Sequence, residues 1–123
     1  MSRTEEKPYD ERELSFPPFV LRGTLTNGLK YFIMEHKKPD DRILAWLVVP
    51  VGSIHEQDCE YGIAHFIEHM GFKRTEHFPP GEVVRYFHSI GVDIGAGINA
   101  VTDVDRTIYK IEVPSDRDEY IIK

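Results

Sequence analysis

The sequence predicts an α+β fold, a mostly antiparallel sheet with helices packed on one side. Three observations point there: β-prone runs come in groups, Asn27-Gly28 joins the first two of them, and two helical patterns follow one another in mid-chain. A length of 123 residues suits one domain with a modest core. Residues 1–18, charged and then broken by Pro17 and Pro18, are expected to form a solvated lead-in to a domain spanning 19–123.

Strands are expected at about 20–25 and 29–36, because Asn-Gly between β-prone runs favours a tight hairpin. The run Ile43 to Val49 is apolar throughout and rich in branched residues, which suits a central strand covered on both faces. From Tyr61 to Lys73, Ile63, Phe66, Ile67 and Met70 recur at helical spacing while His and Glu occupy another face, so a short amphipathic helix is expected. Pro79-Pro80-Gly81 opens a second helix, 81–90, with Val83, Val84, Phe87 and Ile90 apolar and Gly91 placed to cap its end. The glycine-spaced stretch VDIGAGINAVT is read as extended and expected to pair with a strand at Thr107 to Val113, closed by Pro114. Ser115 with Asp118 fits a capping box, and Glu119 to Ile122 reads as the first turn of another helix.

Composition narrows the function. Fifteen Lys and Arg against 21 Asp and Glu give a net charge of −6, which repels a phosphate backbone and argues against nucleic acid as a partner. The longest apolar stretch is far shorter than the roughly 20 residues of a membrane-spanning helix. The N-terminus, MSRTEEKPYDERE, lacks the apolar run of a secretory signal. The cytoplasm is therefore the default compartment, with the periplasm open to a chain whose natural N-terminus was removed. A single cysteine, Cys59, makes neither an internal disulfide nor a cysteine cage, so any metal must be held by His and carboxylate.

His65, Glu68 and His69 carry the chemistry. On a helix, His69 lies about 40° from His65 and Glu68 about 60° to the other side, so all three share one face. Imidazoles one turn apart can chelate one zinc ion, and the carboxylate beside them can take a proton from an activated water and pass it to a leaving amine. That is the machinery of peptide hydrolysis. His36, His55, His77 and His88 are read as surface or structural histidines. Glu76, Asp103, Asp105 and Glu112 could complete a metal shell, and their spacing selects none of them.

The segment GIAHFIEHMGFKRTEHFP resembles the signature of the inverzincin zinc metallopeptidases, the family of pitrilysin, insulin-degrading enzyme and mitochondrial processing peptidase. TNGLKYFIMEH, the Ile43 run, VGSIHE and INAVTDVDRTIYKIEVPSD extend the resemblance from about Leu21 to Asp116. It implies a zinc-dependent endopeptidase acting on peptides or small unfolded proteins, of which this chain is the N-terminal portion of the peptidase domain. His65 and His69 match the zinc-binding histidines and Glu68 the glutamate that activates water. Asn99 and Ala100 match an edge strand on which substrate lies extended, by strand addition.

Three departures accompany the resemblance. The family's third zinc ligand, a glutamate on a later helix roughly seventy residues past the second histidine, would fall beyond Lys123. Arg74 stands where the family usually has glycine, so a left-handed position there would force a local change that Gly71 could absorb. The second, similar half that encloses substrate is not in this sequence. The chain is thus expected to be a fragment, inactive alone, whose partner is the rest of the peptidase or a partner subunit. The alternative is a non-catalytic homologue or partner subunit that keeps the fold for assembly, against which an intact Glu68 argues. A metal-storage site without turnover is a third reading.

Overall fold

The computed structural model describes residues 16–116. It divides into two compact units, Met1–Lys38 and Pro39–Lys123, each with its own sheet. Most of the charged lead-in and the helical turn expected after Ser115 lie outside the described residues.

The first unit holds a hairpin, β1 (Val20–Thr24) and β2 (Lys30–Met34), paired antiparallel from Val20↔Met34 to Thr24↔Lys30. Its turn closes through Gly28 N–H to Leu25 O at 2.9 Å and Leu25 N–H to Leu29 O at 2.8 Å. Gly28 sits at φ +88°, a conformation that a side chain disfavours, which explains the Asn-Gly signal.

The second unit runs β3 (Arg42–Val49), α1 (Ile63–Gly71), α2 (Glu82–Ser89), β4 (Ile98–Thr102) and β5 (Thr107–Pro114). Its sheet is antiparallel with spatial order β3-β5-β4. Residues directly opposite share a face, so the registers Ile43↔Val113, Ile98↔Ile111 and Thr102↔Thr107 place these side chains on one side of the sheet. That side carries the core, Val92, Ile98 and Val113, with Ile43, Phe72, Phe87, Ile90 and Ile111 packed against it. The helices cover it: α1 lies on β4 and β5, and α2 contributes Phe87 and is capped by Ile90, followed by Gly91 at φ +76° as the sequence predicts.

Two expectations need correction. The Ile43 run is an edge strand of the described sheet, and β5 is central. Its outward residues Leu44, Trp46 and Val48 are exposed, Trp46 to 61%, although Lys110 lies 4.6 Å over the indole ring. An all-apolar run reports strand and burial propensity without specifying which neighbours supply the cover. In α1 the apolar stripe Ile63, Phe66, Ile67 and Met70 is exposed, and the helix buries Ala64 and Glu68 instead. The hydrophobic pattern identified a helix and misassigned the face that packs on this sheet.

Candidate metal centre

The helix bearing the three residues is fixed at both ends. The Glu56 carboxylate, from the loop after β3, accepts the N–H groups of Gly62 at 2.8 Å and Ala64 at 2.9 Å. These are first-turn donors with no partner inside the helix. The two bonds, Ala64's the larger influence, hold the Glu56 carboxyl below its ordinary 4.5. Glu56 is itself placed by the preceding turn. Ser53 N–H reaches Asp103 O at 3.2 Å, Ile54 N–H reaches Val104 O at 2.9 Å, and buried Gly52 lies against the β4–β5 connection. At the C-terminal end Gly71 passes beneath Tyr109, whose ring would stand 3.3 Å from a Cβ at that position. Neither Gly71 nor Arg74 has positive φ, so arginine enters this loop without backbone strain.

From this helix the Nε2 atoms of His65 and His69 converge to 3.0 Å, and a Glu68 carboxylate oxygen joins them with all three donor atoms within 4.8 Å of one another. Two imidazole nitrogens facing each other need a proton or a cation between them. Two bonds of about 2.0–2.1 Å to one tetrahedral ion separate their nitrogens by roughly 3.4 Å, close to the spacing here, so the pair fits a borderline cation such as zinc. The histidines are exposed, whereas Glu68 is only 7% exposed and its Oε2 accepts a 2.6 Å bond from Thr102 Oγ1. Nearby, burial and then the Glu68 charge push the Tyr109 phenol above its ordinary 10.0.

Asn99 and Ala100 lie on β4, an edge of the described sheet, and line a cleft of about 390 Å³ together with His69, Phe72, Lys73 and Ile94. Asn99 Oδ1 accepts the N–H of Ala100 at 2.9 Å. None of the four open carboxylates joins the histidines among the described residues: Asp103 and Asp105 face Arg106, Glu112 faces Arg42, and Glu76 is exposed. His36 and His55 accept backbone N–H groups of Lys38 and Gly52 through Nδ1, as structural histidines do. Sequence reasoning missed Glu56 and Thr102. Thr102 carried a signal, since it stands two residues after Ala100 and so shares its face of a strand. Glu56 reaches its helix across a loop, where no fixed spacing applies.

The family model for insulinase, peptidase family M16, matches residues 31–122. The chain belongs to the insulinase family of M16 peptidases. Among insulinase-family proteins it is 39% identical over 108 residues to the probable zinc protease PqqL of Escherichia coli K12, covering 88% of this chain and 11% of that protein. It is 39% identical over 106 residues to the chloroplastic stromal processing peptidase of Oryza sativa subsp. indica, covering 84% of this chain and 8% of that one. The crystal structure of the first half of the periplasmic protease PqqL from Escherichia coli superposes with TM-score 0.83 and 38% identity, over 86% of this chain and 23% of that chain. The chain spans about a tenth of the length of these two curated relatives. The cytoplasmic default gains no support from them.

Proposed function

We propose that this chain is part of a zinc-dependent endopeptidase that hydrolyses peptides or small unfolded proteins. The observation that carries the reading is the meeting of two imidazole nitrogens 3.0 Å apart with a buried carboxylate on the same helix. His65 and His69 would hold the metal, with a further donor from the remaining part of the peptidase or a partner subunit. When bound, zinc supplies Lewis acidity toward the scissile carbonyl and acidifies water. Glu68 accepts the proton of the attacking water and returns it to the leaving amine. The substrate backbone lies along the β4 edge at Asn99 and Ala100, taking the Ala100 N–H that Asn99 Oδ1 now accepts. Similarity to PqqL favours the periplasm, which cell fractionation checks: recovery of the protein in the cytoplasmic fraction alone overturns that placement.

In the full-length protein, His65→Ala and His69→Ala are expected to remove most of the zinc measured by elemental analysis, since each deletes one of few donors. Glu68→Gln keeps zinc and lowers peptide hydrolysis by about 10²–10⁴-fold, because an amide cannot accept the water proton. Full zinc content in the double histidine variant overturns the metal site. Unchanged hydrolysis in Glu68→Gln overturns the general base and favours a non-catalytic assembly role.

A further inference from the structure

Glu68 stands close enough to the two histidines to be either a third ligand to the same cation or a free base. Only the second role supports hydrolysis as proposed above, so something must keep the carboxylate off the metal. The carboxylate is contacted from β4. Thr102 Oγ1 lies 2.6 Å from Glu68 Oε2, the length of a charge-assisted O–H···O⁻ bond. A hydroxyl has one proton to give. Thr107 Oγ1 lies 3.4 Å from Thr102 Oγ1 but 2.9 Å from Val51 O, so the Thr107 proton goes to the carbonyl and the Thr102 proton to Glu68. Thr107 is 5% exposed and sits directly opposite Thr102 in the ladder, which anchors the pair in the sheet.

We propose that Thr102 is the positioning residue for Glu68, binding Oε2 so that the carboxylate stays a base beside the metal site instead of a ligand in it. This rests on the endopeptidase reading. Oε2 is occupied, so proton acceptance falls to Oε1, and rotation of the carboxylate is blocked from the sheet side. Ala100 and Thr102 share one face of β4, so the strand proposed to carry substrate also sets the orientation of the base.

The test uses the full-length protein with Thr102→Val, which removes the hydroxyl and keeps the shape, and Thr102→Ser, which keeps the hydroxyl. Thr102→Val is expected to retain zinc at the parent stoichiometry, hold KM within about twofold and lose kcat roughly tenfold. Thr102→Ser is expected to recover kcat to within about threefold. In zinc-free protein, thermal unfolding of Thr102→Val, Glu68→Ala and the double variant gives non-additive losses if the two side chains are bonded, since alanine leaves no acceptor for the hydroxyl. Parent kcat in Thr102→Val, a loss carried wholly by KM, equal impairment in Thr102→Ser or strict additivity overturns the proposal. If Thr102→Val does not fold, Thr102→Ala against Thr102→Ser makes the same comparison. Failure here with Glu68→Gln still inactive removes only the Thr102 role. An active Glu68→Gln removes the general base itself.

Discussion

His65 and His69 were legible because a four-residue spacing on a helix brings two side chains onto one face whatever the helix packs against. The burial of Glu68 was not, since the strand it packs against carries its partner Thr102, 34 positions away along the chain. Gly52 is another residue whose role only the tertiary structure reveals. Its φ of −150° is ordinary extended backbone, so conformational freedom does not explain the glycine. Space does: a Cβ there would fall against the carbonyl oxygens of Asp103 and Val104 and the Arg106 nitrogen, all main-chain atoms that cannot swing aside. Gly52→Ala is therefore expected to destabilise the protein by about 1–3 kcal/mol or more, read from denaturant midpoints. It should also loosen the turn that delivers Glu56. Parent-like stability would mean that the β4–β5 connection yields readily.

At the scale of elements, α1 is held in place mainly from outside itself. Its apolar stripe is exposed, so the amphipathic pattern that predicted the helix does not account for its seating on this sheet, and the remote cap at Glu56 does part of that work. The pH dependence follows from the sign of the shift. Glu56 is depressed below its ordinary 4.5, so its contribution is fully present above that value and is lost as the pH falls through the lower, folded-state value. Acid unfolding of the zinc-free protein, followed by circular dichroism, should accordingly be less steep below about pH 4.5 in Glu56→Gln than in the parent. The variant should also bind zinc more weakly, because frayed first-turn residues no longer preorganise His65. An unchanged acid limb together with parent zinc affinity would show that the cap is dispensable. Strand identities, both helices and their order were readable from local pattern. The position of β3 was not, because strand order is set by the β3–β5 pairing between residues some 65 positions apart, to which local periodicity is blind.

At the scale of the whole molecule, the unit from Pro39 onward buries little apolar surface for the number of large apolar side chains it carries. Among the described residues its buried apolar side chains are Ala64, Val92, Ile98 and Val113, whereas Trp46, Phe66 and Ile67 stand 61%, 63% and 58% exposed. Exposed apolar groups on both a sheet face and a helix face are characteristic of surfaces that something covers. The relatives supply a reason, since this chain corresponds to about a tenth of their length. The 123 residues alone are therefore expected to self-associate, to bind zinc loosely through two histidines and to leave fluorogenic peptides uncut. Extending the chain through the region that follows in the full-length protein should restore a monodisperse species, tight zinc and hydrolysis together. Light scattering, chelator competition and a peptide assay on both forms make the comparison. A monomeric 123-residue chain whose peptidase activity depends on Glu68 would instead require a local carboxylate, such as Glu76 or Glu112, to move in beside the histidines and complete the site. That would demand rearrangement of Glu112, which faces Arg42 at 4.0 Å, or of the loop bearing Glu76, so the cost of the movement argues for an outside donor.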